Sequence, residues 1–316
     1  PRRPPELETL ILAVRQYATH MLSGRVSPRV FFEELSSKVS RSRGALELPE
    51  LDRPWTLLSI PEGALSRGGA GPLVAGCGRA RSRPLGEFYS TTRVLEAECG
   101  GRLVRYVLKD YGSPWGAKWI VARVAAAGIR EMRLSPLERL AAEYAFTRAL
   151  RSLGLLTPRI LLVDPWRPMM AREYVEGVLL ERAVGEEAPF LEIGRLMARL
   201  HSAGVTLGDV KPSNFVASGA SIYLIDCEQA MVGGSAAWDV ASFLYFLAPL
   251  GRERGWDAVR RSALSFLRGY SAEGGAGAIR EAASPRYLAP LSPLLRPGEA
   301  GVIADVLSRF LSGQRA

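Results

Sequence analysis

Residues 200–230 read LHSAGVTLGDVKPSNFVASGASIYLIDCEQA, and this stretch decides the fold. It brings together four polar side chains that can carry chemistry: Asp209, Lys211, Asn214 and Asp226. The apolar run 222–225 predicts a buried strand that would hold Asp226 rigidly at its end. Carboxylate and amide oxygens suit a hard divalent cation such as Mg²⁺, which usually keeps waters and substrate phosphates as further ligands. The stretch therefore predicts a magnesium site, with a polar loop that caps a helix as the alternative.

The run Asp209-Val210-Lys211-Pro212-Ser213-Asn214 resembles the D-x-K-P-x-N catalytic loop of the protein-kinase-like superfamily. Asp226 falls where that superfamily keeps a metal-binding Asp. The resemblance implies that Asp209 orients or deprotonates an acceptor hydroxyl and that Asn214 and Asp226 hold Mg²⁺. It also implies that Lys211 neutralises charge on the γ-phosphate of ATP. ATP and Mg²⁺ are accordingly the expected cofactors.

The same resemblance requires a strand lysine on the nucleotide phosphates and a helix glutamate that orients it. Lys109 ends the predicted strand RLVRYVLK, and Glu143 lies in a long predicted helix at about 135–153. Two rivals exist for these roles. Lys118 follows a Gly-Ser-Pro-Trp-Gly loop, and Glu138 sits in the first turn of the helix, where compensation of the helix dipole explains it.

Two further positions follow from the resemblance, which covers about 85–250. The run Glu173-Tyr174-Val175 is the expected hinge, in which Glu173 and Val175 offer backbone groups to adenine. Asp239 resembles the structural Asp on the helix behind the catalytic loop.

The pattern of apolar residues predicts an α+β, two-lobed arrangement, and the resemblance implies that it is a protein-kinase-like fold. We expect an N-terminal helical extension at 1–60, a β-rich N-lobe at 61–172 and a helical C-lobe at 173–316. Strands are predicted at 102–109, 159–163 and 169–175 and in the first half of 87–98, with a hairpin at Gly100-Gly101. The glycine- and arginine-rich stretch 63–86 reads mostly as loop.

Four departures separate this chain from ordinary protein kinases. Thr206-Leu207-Gly208 precedes Asp209 where His-Arg is usual, and Cys227-Glu228 follows Asp226 where Phe-Gly is usual. Only 13 positions separate Asp226 from Asp239, which leaves no room for a long activation segment. A clean G-x-G-x-x-G is missing, and two weaker glycine-rich stretches, 68–71 and 76–78, are the candidates to cover the phosphates.

These departures point to the atypical branch of the superfamily. The region from Glu138 to Asp226 resembles archaeal RIO-type kinases and the kinase subunit of the KEOPS tRNA-modification complex. It is also similar to archaeal RNA kinases that phosphorylate a ribose 2′-hydroxyl in tRNA. The run Ile225-Asp226-Cys227-Glu228 is similar to the matching turn of aminoglycoside and choline kinases.

The net charge of the chain bears on which molecule accepts the phosphoryl group. The 316-residue chain has a net charge of +9, and only four of its 41 basic residues are lysines. Arginine forks suit phosphate groups, and basic runs such as 79–83 favour RNA, although a solvated basic surface is the alternative for each run. Residues 252–316 carry ten arginines and no lysine, which disfavours a cationic aminoglycoside. We therefore rank a tRNA hydroxyl first, a protein Ser/Thr acceptor second and a small molecule third.

A pseudokinase scaffold without catalysis is the fourth reading, and retention of the whole catalytic set disfavours it. Three cysteines without a CxxC pair predict a reducing compartment. The longest apolar run, near 236–250, contains Asp239 and is too short to span a bilayer. The N-terminal residues do not read as a signal peptide. The expectation is a cytoplasmic protein without a membrane partner.

Overall fold

The structure is a computed structural model that describes residues 81–85, 92–99, 101–112, 128–164 and 168–313. Several predictions lie outside these residues: the helical extension at 1–60, the glycine-rich stretches at 68–71 and 76–78, and Lys118. The domain boundaries themselves stay predictions. In the described part of the chain, no helix is both long enough and apolar enough to cross a membrane.

A five-stranded antiparallel sheet forms the first lobe. Its strands are β1 (Arg81–Pro84), β2 (Thr92–Cys99), β3 (Arg102–Asp110), β4 (Ile160–Asp164) and β5 (Met169–Glu173). Their order across the sheet is β1-β2-β3-β5-β4. The predicted hairpin joins β2 to β3, and Gly101 adopts a φ of 74° there, a conformation that glycine reaches without steric cost. Three of the five strands, β3, β4 and β5, match predicted strands, whereas β2 begins at Thr92, and most of the first half of 87–98 lies outside the described residues.

Strand β1 lies in the stretch 63–86, which the sequence predicts to be mostly loop and of which the structure describes 81–85. It pairs antiparallel with β2, from Arg81 opposite Glu96 to Pro84 opposite Arg93. Most of its side chains are exposed, because it lies at the edge of the sheet and contacts one neighbour only. An edge strand with little apolar surface gives no alternation for a sequence pattern to detect.

Helix α1 (Pro136–Ser152) follows the first three strands and supports the sheet. Ser135 occupies the predicted N-cap position, although its side chain makes no capping hydrogen bond, and Pro136 begins the helix. Gly154 follows its end with a φ of 83°. Leu140 of α1 packs with Tyr111 and Met170, and this contact fixes the helix against β5 and the residue that follows β3.

The second lobe is mostly helical. Its helices are α2 (Glu187–Ser202), α3 (Ala236–Leu247), α4 (Gly251–Arg254), α5 (Trp256–Ala272), α6 (Ala276–Ala282), α7 (Pro285–Leu288) and α8 (Glu299–Leu311). Short strands interrupt them: β6 (Val178–Leu179), β7 (Val205–Thr206), β8 (Phe215–Ser218), β9 (Ser221–Leu224) and β10 (Met231–Val232). The predicted α+β fold, with a sheet followed by helices, is confirmed.

Helices α2 and α5 cross at very short distance and build the core of this lobe. A Cβ atom at Gly194 would lie 2.2 Å from the carbonyl oxygen of Phe266, and one at Gly269 would lie 2.0 Å from that of Leu191. Phe266 stacks against Phe243 of α3, with ring centroids 4.4 Å apart. This packing gives the segment 203–235 a rigid base.

Candidate active site

The catalytic loop predicted from sequence lies between β7 and β8 and is held by Asp239. The buried Asp239 carboxylate accepts hydrogen bonds from the backbone N–H of Leu207 at 2.6 Å and of Gly208 at 2.8 Å. Trp238 donates its ring N–H to the Gly208 carbonyl at 2.8 Å. The start of α3 therefore fixes the backbone just before Asp209, as the resemblance implied.

Asp209, Lys211 and Asn214 lie together in this loop. The Lys211 Nζ is 3.0 Å from Asp209 Oδ2, and Asn214 donates its side-chain N–H to the Asp209 carbonyl at 2.8 Å. Burial alone would lower the pKa of Lys211, but the charges of Asp209 and Asp226 outweigh it and raise this pKa. Lys211 is therefore a cation at neutral pH, and its ammonium contacts the Asp209 carboxylate.

Lys109 lies on β3 at the centre of three carboxylates. Its Nζ is 2.7 Å from Glu143 Oε2, 2.9 Å from Asp226 Oδ1 and 3.1 Å from Glu228 Oε2. Burial opposes its charge, but attraction to these carboxylates prevails and raises the pKa of Lys109 above its ordinary value. The structure thus brings the predicted strand lysine, helix glutamate and metal-binding Asp into direct contact.

Glu143 is fully buried on α1 and is satisfied by three donors. Besides Lys109, it accepts hydrogen bonds from the Tyr111 hydroxyl and from the Arg172 guanidinium of β5. Its rival Glu138 is half-buried in the first turn of the same helix. The geometry therefore assigns the contact with Lys109 to Glu143.

Asp226 follows β9 by two residues and is partly exposed. Burial would raise its pKa, but Lys109, Lys211 and Arg172 lower it well below the ordinary value of 3.8. Asp226 is therefore ionised at neutral pH. Carboxylate and amide oxygens, as carried by Asp226 and Asn214, are ligands that suit Mg²⁺.

Glu228 is a further site residue, for which the sequence pattern indicated no specific role. It is 2% exposed and pairs with Lys109 and with Arg139 of α1, whose NH1 lies 3.4 Å from both of its carboxylate oxygens. Desolvation raises the pKa of Glu228, and Asp226 adds to that effect. Its signal in the sequence was an acid two positions after Asp226, where ordinary kinases have glycine.

The carboxylates of Glu143, Asp226 and Glu228 offer ligand atoms within 4.8 Å of one another. The ammonium of Lys109 contacts all three, Arg172 pairs with Glu143 and Arg139 pairs with Glu228, so three protein cations face the three carboxylates. Removing one partner from such a buried network leaves an uncompensated charge.

The expected hinge residues lie apart from this cluster. Glu173 ends β5, donates its backbone N–H to the Arg159 carbonyl at 2.9 Å and pairs its side chain with the Arg159 guanidinium. The backbone N–H of Glu173 therefore already has a hydrogen-bond partner within the protein. Val175 follows in the connection to β6, where Arg105 of β3 forms an ion pair with Glu176 at 2.6 Å.

The segment after Asp226 is short and fixed. Met231 and Val232 form β10, which pairs antiparallel with Thr206 and Val205 of β7. The chain enters α3 four residues after this pairing. The residues that would form an activation segment are therefore bound to the start of the catalytic loop.

The chain is similar to known kinases over part of its length. No model of a protein family matches the chain. It is 32% identical over 155 residues to a probable serine/threonine-protein kinase BUD32 homolog of Archaeoglobus fulgidus. The matched region covers 49% of this chain and 75% of the relative. It is 31% identical over 207 residues to a 3-deoxy-D-manno-octulosonic acid kinase of Stenotrophomonas maltophilia. The matched region covers 60% of this chain and 80% of the relative.

The chain belongs to the atypical branch of the protein-kinase-like superfamily. It is a kinase, an ATP-dependent phosphotransferase. Among solved structures, an ethanolamine kinase of Plasmodium vivax covers 74% of this chain and 81% of its own, with 12% identity and a TM-score of 0.42.

Proposed function

We propose that this kinase transfers the γ-phosphoryl group of ATP, with Mg²⁺, to a ribose 2′-hydroxyl of tRNA. The observation that carries the proposal is the short connection after Asp226, which is paired to β7 instead of forming a platform for an extended peptide. The net charge of +9 then favours an anionic acceptor over a neutral or cationic one.

The basic residues of the sheet support an anionic acceptor. Residues two apart on a strand share a face, and the strand register places Arg81, Arg83 and Arg105 on the face that carries Lys109. Arg81 and Arg83 are exposed at the sheet edge, and Arg83 has an ion pair with Glu96 at 3.5 Å. Arg81 and Arg83 of the run 79–83 thus lie on the face that carries Lys109.

The arginines of the C-lobe give weaker support. Four of them form ion pairs with nearby acids: Arg252 with Glu299, Arg260 with Asp257, Arg286 with Glu281 and Arg309 with Asp305. Their charges are partly neutralised by the protein itself. We therefore assign the main contact with phosphates to the sheet edge.

The catalytic residues act by position and charge. Asp209 accepts the hydrogen bond of the acceptor hydroxyl and then its proton, while the hydroxyl oxygen forms a bond to the γ-phosphorus. The bond from that phosphorus to the oxygen that bridges it to the β-phosphorus breaks, and ADP leaves. Lys211 stabilises the charge on the transferred group, and Lys109, oriented by Glu143, holds the other phosphates. Asn214 and Asp226 would hold Mg²⁺, which neutralises phosphate charge when bound.

The cover of the phosphates stays a prediction. The glycine-rich stretches 68–71 and 76–78 are the candidates, and both lie outside the described residues.

A second candidate acceptor is the hydroxyl of an anionic sugar acid. The specific observation is the similarity to a kinase named for such an acid over four-fifths of that protein's length. Both candidates share one chemistry, a sugar hydroxyl carried by an anion, and differ in the size of the acceptor.

The test supplies γ-labelled ATP and Mg²⁺ with total tRNA, with 3-deoxy-D-manno-octulosonic acid and with a protein acceptor in parallel, and uses Asp209→Asn as the control. A 2′-phosphate blocks alkaline cleavage of the neighbouring phosphodiester, because that cleavage needs the free 2′-oxygen. We expect Asp209-dependent label in tRNA that alkali releases as a dinucleotide. Label only in the sugar acid supports the second candidate, and label only in protein contradicts both.

A further inference from the structure

Arg130 reaches the catalytic loop from outside it. It belongs to residues 128–134, which directly precede α1, and its side chain is 1% exposed. Its NH1 donates to Thr206 Oγ1 at 3.2 Å, and its NH2 donates to the backbone carbonyl of Gln229. One guanidinium therefore joins the strand before Asp209 to the turn after Asp226.

The same guanidinium packs on the backbone of Gly208, the residue next to Asp209. A Cβ atom at Gly208 would lie 2.1 Å from NH2 of Arg130, so only glycine leaves room for this contact. Gly208 also has a φ of 81°, which disfavours other residues independently of space. The Arg130 guanidinium thus occupies the space that a side chain at position 208 would need.

Arg130 also supplies a charge that the catalytic loop needs. Asp239 is a fully buried carboxylate that accepts two backbone N–H groups of the loop and lies 3.1 Å from Nε2 of His201. Arg130 NH1 lies 4.0 Å from Asp239 Oδ1. Burial lowers the pKa of Arg130, and attraction to Asp239 and Asp209 opposes that effect. A cation and an anion are therefore buried together under the loop.

A second contact fixes the same segment to the residues after Asp226. The Gln229 side chain accepts a hydrogen bond from the backbone N–H of Arg133 at 2.8 Å and donates one to the Arg133 carbonyl at 3.1 Å. This contact uses the backbone of Arg133 and not its guanidinium. Residues 128–134 therefore hold the Asp226 turn in two places, three residues apart.

We propose that Arg130 is a positioning residue for phosphoryl transfer, which holds the Asp209 loop and the Asp226 turn in one fixed relation. The segment that carries Arg130 continues into α1, which carries Glu143, the partner of Lys109. Arg130 therefore also fixes the loop and the turn relative to these two residues. The inference rests on the roles of Asp209 and Asp226 given under the proposed function, and it does not depend on the acceptor. A displacement of about 1 Å between reacting groups costs on the order of 100-fold in rate.

The test compares Arg130→Met with Arg133→Met in the full chain. Arg133 is the matched control, because it lies in the same segment and its side chain forms no hydrogen bond to the catalytic loop among the described residues. ADP formation from ATP and Mg²⁺ is measured with and without total tRNA. We expect Arg130→Met to lower kcat about 100-fold while KM for ATP changes less than about 3-fold. Arg133→Met should keep kcat within about 3-fold of the wild type.

A milder pair keeps the test valid if Arg130→Met fails to fold. Thr206→Val removes the hydroxyl that accepts from Arg130 and donates to the Gly233 carbonyl, and Thr206→Ser retains both bonds. We expect Thr206→Val to lower kcat about 10-fold and Thr206→Ser to keep kcat near the wild-type value, with KM for ATP unchanged in both variants. Equal kcat for Val and Ser, or a shared fall for Arg130→Met and Arg133→Met, would overturn the proposal.

Asp209→Asn separates this inference from the proposed function. If Asp209→Asn forms ADP at the wild-type rate, the role of Asp209 is wrong and the positioning proposal loses its basis. If Asp209→Asn is inactive and Arg130→Met has wild-type kcat, the Arg130 proposal alone is wrong.

Discussion

Glu143→Gln is the substitution that tests the buried charge network most directly. It replaces a fully buried carboxylate with a neutral amide of nearly the same shape. Lys109 keeps Asp226 at 2.9 Å and Glu228 at 3.1 Å, so the ammonium remains compensated. Arg172 loses the carboxylate with which it forms its ion pair, and its guanidinium is 8% exposed.

The size of the effect follows from these contacts. Breaking a buried ion pair by removal of one partner costs about 3–5 kcal/mol, and we expect the lower end, about 3 kcal/mol, because Lys109 stays paired and the amide oxygen still accepts one hydrogen bond. At roughly 2–4 °C for each kcal/mol in a domain of this size, the melting temperature should fall by about 6–12 °C. KM for ATP should rise as well, since Lys109 loses the group that orients it.

Thermal unfolding followed by circular dichroism measures the first effect, and steady-state ADP formation measures the second. Glu138→Gln is the control, because Glu138 lies on the same helix, in its first turn, and is half-buried. Its loss should cost less than about 1 kcal/mol, the scale of a helix-dipole interaction. If Glu143→Gln melts within about 2 °C of Glu138→Gln, the claim that Glu143 anchors this network is refuted.

Three further predictions address the remaining parts of the molecule. Asp209→Asn should lower kcat by about 10²–10⁴-fold and leave ATP affinity within about 2-fold, which single-turnover kinetics and calorimetric titration of ATP would check. Lys109→Met should raise KM for ATP about 10-fold or more while Lys118→Met does not, and the reverse result in ATP kinetics would move the strand role to Lys118. Arg252 lowers the pKa of Glu299 below its ordinary value of 4.5, so this pair stabilises the fold above that pH and loses its effect as pH falls through the lowered pKa. The difference in unfolding free energy between wild type and Glu299→Gln should therefore shrink between about pH 6 and pH 3, and a constant difference in urea titrations would contradict this.

Much of the fold was accessible from local pattern. The helix predicted at 135–153 spans Pro136–Ser152, because proline and a closing glycine mark its ends. The predicted strand at 222–225 is Ser221–Leu224, a shift of one residue. Strand β1 was missed, since an exposed edge strand carries no apolar alternation.

The resemblance of the catalytic stretch supplied most of the candidate site. It identified Asp209, Lys211, Asn214 and Asp226, and scarcity of lysine singled out Lys109. It gave no role to Glu228 or Arg130, because their importance lies in contacts that span long stretches of chain. Arg130 meets Thr206 after 76 residues and Gln229 after 99.

The sequence by itself determined the class of chemistry, since D-x-K-P-x-N and a later Asp are local patterns that specify a phosphoryl-transfer site. It also determined where α1 and the sheet strands with apolar alternation lie, because periodicity and capping act over a few residues. Only the tertiary structure decided which buried cations pair with which buried carboxylates. Whether a buried Glu228 or Arg130 is tolerated depends on the partners that folding brings within about 3–4 Å, and burial strengthens those interactions far beyond their value in water.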